Sequence, residues 1–356
     1  MIMIVEFILA FGILVFLHEL GHYIMARLSG VEVEEFGFGF PPRLTKLFTW
    51  KGTEFTLNWI PFGAFVRPKG ENDPAVEGGM AAANPWKRLG ILLGGPLMNL
   101  LTGIVLFSIV FGQTGVPDFS QVQVVDVSPN SPAEQAGMLP GDLIISINDQ
   151  PVSSIENLAA VIGANAGKEI TLEYLREGQT ATITAVPRVD PPAGEGSFGI
   201  SMSNPVIKAG ITKTVPFAFR MTFEQGKQLL QLPGRLIRGE VSGEEARFVG
   251  PVGAYGLYEQ AREMDEEMAE APQSQPLPAV NTLALMGLLA VALGLTNLLP
   301  IPALDGGRIL FVLPELVTGR RVRPELENLV NMVGFFALIA LMVYITAQDI
   351  INPIIP

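Results

Sequence analysis

Apolar residues run almost unbroken through Met1–Met25, Leu89–Phe111, Ala279–Ala303 and Leu329–Ile350. Crossing about 30 Å of hydrocarbon takes about 20 helical residues, so these runs predict four transmembrane helices. The first has no basic leader and no small-residue cleavage signal, and it is read as a retained helix rather than a signal peptide. Between the first two runs, "VEVEEFGFGFPPRL" and "TEFTLNWIPFGAFVRP" are aromatic, glycine-rich and partly alternating, which predicts short strands joined by a turn. After the second run, "VVDVSPNSPAEQAGMLPGDLIISINDQPV" (124–152) reads as a strand, a Ser-Pro-Ala helix start and a hairpin turning at Asn148–Asp149. "FAFRMTFEQGKQLLQLPGRLI" has the period of an amphipathic surface helix, whereas "DEEMAEAPQSQPLP" (265–278) reads as a solvated linker with no site.

These signals divide the chain into a first transmembrane helix (1–28), a cytoplasmic-side loop with a membrane-associated β segment (29–88) and a second helix (89–112). An extramembrane α+β domain (119–203), an amphipathic region with linker (204–278), a third helix (279–307) and a fourth (329–351) follow. Lys and Arg number seven in residues 29–89 and four in 304–328, but only eleven in the long segment 113–278, against 21 Asp and Glu. Basic residues gather on the cytoplasmic side of a membrane. Both short loops are therefore placed inside, with both termini and the long segment outside a cell (inner or plasma) membrane.

Composition supports this. The chain is 49% hydrophobic and 16% charged, against about 25% charged for a soluble domain. A net charge of −12 argues against a nucleic-acid partner, and the absence of cysteine excludes disulfides and thiolate chemistry. The chain's two histidines sit four residues apart in "FLHELGHYIMARL" (16–28).

"HELGH" is H-E-x-x-H. Positions i and i+4 share one helix face, so His18 and His22 can grip one metal while Glu19 takes a proton from water. Nitrogen and oxygen donors point to Zn2+, held by three protein ligands with one position open. No third histidine exists, so a carboxylate is needed, and Asp305 in "NLLPIPALDGGRIL" (297–310) is the candidate. The predicted topology brings it to the same depth as the histidines, near the cytoplasmic face. Two plainer readings stand beside this: a chance match in a helix bundle, and Asp305 as a cap for the helix beginning near Arg308.

With "GGPLMNLL" (94–101) opening the second span, these motifs resemble the site-2 protease family of intramembrane zinc metalloproteases, most closely the bacterial regulator-of-sigma-E protease group. The resemblance implies His18, His22 and Asp305 as zinc ligands, Glu19 as general base, and Asn297 as a donor to substrate backbone or oxyanion. Asn297 could equally be a polar residue bonded between helices. Gly63, Phe65, Pro300 and Pro302 are further candidate substrate contacts. Asn99 also matches, but Gly94, Gly95 and Asn99 read more simply as close helix packing. The resemblance further implies that the β segment accepts an unwound substrate as an added strand; the plain alternative is a surface hairpin among headgroups. Arg308 stands where many relatives have histidine, and one extramembrane domain is present where enterobacterial members have two.

That domain resembles a circularly permuted bacterial PDZ domain. Its "GSFGISM" (196–202) resembles the carboxylate-binding loop, with Phe198, Gly199 and Ile200 shaping a pocket for peptide C-termini. The alternative is a size filter that binds no peptide. The expected activity is cleavage of single-span membrane proteins within the bilayer, such as anti-sigma factors or signal-peptide remnants. A catalytically silent scaffold presenting the PDZ domain is the competing reading.

Overall fold

The computed structural model describes residues 2–240, 248–270 and 279–353 and separates into two compact units, one of Met1–Gln113 with Ile211–Pro356 and one of Thr114–Gly210.

In the first unit, helix α1 (Ile2–Leu28) leads into strands β1 (Val33–Trp50) and β2 (Thr53–Pro68), followed by helix α2 (Pro85–Thr114). The strands are long where short ones were predicted, because each bends and pairs twice. Residues 45–50 run antiparallel to 53–57, while Glu35–Phe38 pair with Ala64–Arg67 on one side and lie beside Glu54–Leu57 on the other. The turn is Lys51–Gly52, both with positive φ, the geometry a two-residue hairpin requires. Buried Glu35 fastens the fold: it accepts from Arg43 at 2.7 Å, Thr56 at 2.7 Å and Arg67 at 2.5 Å.

Helices α1 and α2 cross closely because glycine meets glycine. A Cβ on Gly21 would lie 2.2 Å from the Gly94 carbonyl oxygen. Without a hydrophobic drive between helices in lipid, small residues let backbones approach and dispersion takes over.

The second unit contains β3 (Val116–Pro117), β4 (Val122–Val127), α3 (Pro132–Gln135), β5 (Leu143–Ile147), β6 (Gln150–Pro151) and α4 (Ile155–Ala164). Strands β7 (Ile170–Arg176), β8 (Gln179–Ala185), β9 (Ile200–Ser203) and β10 (Val206–Ile207) complete it. The sheet runs β8-β7-β5-β4-β9, with β6 on β5 and a separate β3–β10 pair. Alternating residues such as Val122, Val124, Ile170 and Leu172 form its core with Met138, Leu158 and Phe198. Ser131 caps α3 by accepting from the Glu134 amide, and Asn148–Asp149 both take positive φ between β5 and β6.

The first unit resumes with the amphipathic helix α5 (Ile211–Ile237), α6 (Pro251–Glu270), α7 (Val280–Leu298), α8 (Asp305–Thr318) and α9 (Pro324–Ile351). Helices α1, α2, α7 and α9 are long and apolar enough to cross a membrane. Gly103 and Gly294 seat α2 against α7: their added Cβ atoms would meet Val291 at 2.4 Å and the Pro96 carbonyl at 2.9 Å.

Three sequence expectations change here. The third span ends at Leu298 rather than 307, because Pro300 and Pro302 break the helix and a turn with Ala303 at positive φ intervenes. Asp305 therefore opens α8 instead of closing α7. The stretch predicted as a solvated linker begins inside α6. There the buried Asp265 accepts from the backbone amides of Asn281 and Thr282 at 2.8 and 3.0 Å and from the Thr282 hydroxyl at 2.7 Å. It supplies the acceptor that the first turn of α7 lacks. Residues 271–278 of that stretch lie outside the described residues.

Candidate metal centre

The site is built where α1, α2, β2 and the start of α8 meet. Along α1, one turn separates His18 from His22, and their Nε2 atoms lie 3.2 Å apart. Asp305 Oδ2 completes a triangle, 3.2 Å from His18 Nε2 and 3.3 Å from His22 Nε2. This carboxylate oxygen is buried and accepts no hydrogen bond. Three donor atoms with lone pairs converging so closely repel one another unless a cation lies among them. Donors about 2.0–2.1 Å from a tetrahedral Zn2+ stand about 3.3–3.4 Å from each other, so the triangle has the right edge. Among the described residues, these three are the group of His, Asp and Glu side chains that could share one ion.

Glycine leaves the room. A Cβ on Gly95 would fall 2.3 Å from His22 Nε2 and 2.7 Å from His18 Nε2, in the space an ion would need. Gly94 serves the helix crossing and Gly95 serves the site, so only the first fits the packing expectation. Around Asp305, the two glycines of "LDGG" allow α8 to lie against backbone. Added Cβ atoms at Gly306 and Gly307 would meet the Leu298 and Ile301 carbonyls at 2.3 and 2.2 Å. The preceding turn is held by α9, where Asn331 Oδ1 accepts from the Ala303 amide at 3.1 Å. The far end of α8 is tied to α2, with Arg88 Nη1 2.6 Å from Glu315 Oε2.

The imidazoles are oriented from α2. His22 Nδ1 lies 2.8 Å from the Ile91 carbonyl oxygen, which accepts only if that nitrogen carries the proton, leaving Nε2 free to ligate. His18 Nδ1 lies 3.2 Å from the buried Asn99 carboxamide. Glu19, next to the histidine face, accepts the Val66 amide at 3.1 Å through Oε2. That bond aims the carboxylate and shows that the Val66 N–H faces away from β1.

The remaining candidates fall elsewhere. Asn297 lies in the last turn of α7 and donates to its own helix, Nδ2 to the Leu293 carbonyl at 3.0 Å. Gly63 has positive φ beside Phe40, and Phe65 covers Gly37 on β1, so both shape the sheet beside the site. Pro302 packs on Gly334 of α9, and Pro300 is exposed. In the second unit Phe198 is only 1% exposed and belongs to the core, which removes its ring from any open pocket. The Gly199 amide donates to the Gly196 carbonyl, and its own carbonyl accepts from Ser128, while Ile200 begins β9. Asn331 and the Ile91 carbonyl were not legible in the sequence, since neither belongs to a spaced motif.

The chain is similar to known proteins along nearly its whole length. Residues 6–341 match peptidase family M50. A Clostridium acetobutylicum protein provisionally named a zinc metalloprotease is 32% identical, with 99% of this chain and 98% of that protein covered. The zinc metalloprotease RasP of Oceanobacillus iheyensis is 28% identical over 98% of each chain. Among solved structures, the PDZ domain of an SdrC-like protein from Listeria monocytogenes is 20% identical, covering 24% of this chain and 90% of that one at a TM-score of 0.22. The chain belongs to peptidase family M50, the site-2 proteases, and is a multi-pass zinc metalloprotease.

Proposed function

We propose that the enzyme cleaves single-span membrane proteins within the bilayer, with His18, His22 and Asp305 holding zinc and Glu19 moving the proton. The observation that carries this reading is the 3.2–3.3 Å triangle of donor atoms set among apolar helices. Ionisable side chains at that depth are costly and serve function. Zinc held there supplies Lewis-acid polarisation of the scissile carbonyl and acidifies an attacking water. Glu19 takes the proton from that water and passes it to the departing amide nitrogen. Its bond to the Val66 amide keeps it aimed without neutralising it.

A helical substrate shields its own peptide bonds, so it must be extended before attack. Strand β2 offers the template. The Val66 amide lies on the edge away from β1, and a strand's edge groups recur every second residue, so an extended segment can add there beside Glu19. Asn297, one turn from the break at Pro300, retains one amide hydrogen for an oxyanion. By the Lys and Arg distribution, the cut lies near the cytoplasmic face, with both termini and the second unit outside. The substrates are anti-sigma factors or signal-peptide remnants already trimmed outside. The second unit admits them by size or by gripping a new C-terminus through residues 196–202.

The test is Glu19→Gln in full-length protein with a model transmembrane substrate. The variant is expected to bind zinc as the wild type does and to lose cleavage by at least about a thousandfold, within the range for a general base acting at a positioned water. Equal activity of the two proteins would remove Glu19 from its role.

A further inference from the structure

Three residues of α2 face the two histidines at intervals of four, antiparallel to them. Ile91 meets His22 through its carbonyl, Gly95 lies under both Nε2 atoms, and Asn99 meets His18. The first two have defined tasks at the site: one sets a tautomer, the other leaves space. Asn99 completes the ladder, and it is 1% exposed in a helix that otherwise presents apolar residues and glycine to α1.

We infer that Asn99 is a positioning residue for His18, fixing its ring and its tautomer by accepting the Nδ1 proton, so that Nε2 keeps its lone pair for the metal. This rests on His18 being a zinc ligand. The argument is one of donors and acceptors. If His18 ligates through Nε2, neutral imidazole carries its hydrogen on Nδ1, and that hydrogen points at the carboxamide 3.2 Å away. Either carboxamide atom can occupy that position, because a half-turn about the side-chain bond exchanges them. As placed, Asn99 Nδ2 faces His18 Nδ1 at 3.2 Å and Oδ1 has no hydrogen-bond partner, so no bond through that oxygen opposes the half-turn, and the imidazole sets the sense of the amide. The oxygen then turns toward His18. The two rings are thereby held by different chemistry from the same helix, His22 by backbone and His18 by a side chain. Only the second can be altered by mutation without disturbing α2.

The experiment compares Asn99→Leu and Asn99→Asp in full-length protein, measuring Zn2+ affinity by competition with a chromogenic chelator and unfolding of the zinc-stripped protein. Leucine matches the volume but accepts nothing; aspartate keeps an acceptor and strengthens it. Asn99→Leu is expected to weaken zinc binding about ten- to a hundredfold, while Asn99→Asp stays within threefold of wild type or binds more tightly. A packing role predicts the reverse order, with leucine tolerated in the apolar setting and a buried carboxylate damaging, and that order would overturn the proposal. If Asn99→Leu does not fold, Asn99→Ala carries the same comparison with aspartate. Zinc bound equally by wild type and Asn99→Leu overturns the role of Asn99 alone. Wild type that binds no more zinc than His22→Ala overturns the metal-site reading, and the role of Asn99 with it.

Discussion

Buried polar groups do different work in the two units. In the second unit they stay within a turn or between neighbouring strands: Ser131 caps a four-residue helix, and Asp142 accepts from Leu139 three residues away while pairing with Arg176 on the adjacent strand β7 at 2.6 Å. In the first unit they join elements distant in sequence. His22 meets Ile91, His18 meets Asn99, Arg88 meets Glu315, and Asp349 of α9 accepts the Gly250 and Gly253 amides at 2.9 Å. Water can satisfy a loop at the surface of a soluble domain, but within apolar helices each polar atom must find a protein partner or an ion. The helices of the first unit therefore place buried polar atoms at their junctions. One of those junctions, between α1, α2 and α8, gathers the three donor atoms of the candidate metal centre.

The comparison breaks most severely at the metal centre. Gly95→Ala places a methyl carbon among the donor atoms, and the enzyme is expected to lose bound zinc and at least about a thousandfold in cleavage while its helices still assemble; elemental analysis of purified protein checks this. The magnitude follows from removal of the Lewis acid and activated water together.

Next comes a junction without chemistry. Asp265→Ala leaves the amides and hydroxyl at the start of α7 without their acceptor and is expected to lower unfolding free energy by about 2–4 kcal/mol. Zinc affinity should stay within twofold, read by chelator competition on the folded protein. A variant that loses zinc at unchanged stability would show that α6 communicates with the site.

The second unit gives smaller effects. Asp142→Ala strips Arg176 and the Leu139 amide of a partner and is expected to cost about 2–3 kcal/mol, visible as faster proteolysis within residues 114–210. Ser131→Ala removes one cap and is expected to cost about 1 kcal/mol by the same assay. Neither should alter zinc content.

What the sequence revealed follows the same division. Four apolar runs, the i, i+4 histidines and the Asn148–Asp149 turn depend on neighbours in the chain, so each left a local pattern. Asp305 is legible through its motif, the missing third histidine and the depth its span implies, but its contact with α1 is not, because that depends on a turn held by Asn331. In the sequence Asn99 reads as packing and Asp265 as solvated linker for one reason. Their partners lie on other helices, and no periodicity marks which side chain will face them. Phe198 misled in the opposite direction, since a loop pattern cannot tell a ring that lines a pocket from one buried beneath it.

X-ray absorption at the zinc edge of the full-length protein tests the central claim most directly. The account predicts a shell of nitrogen and oxygen donors at about 2.0–2.1 Å with two imidazoles, losing one imidazole in His22→Ala and one oxygen in Asp305→Ala. A shell that contains no imidazole, or one unchanged by either substitution, would contradict it.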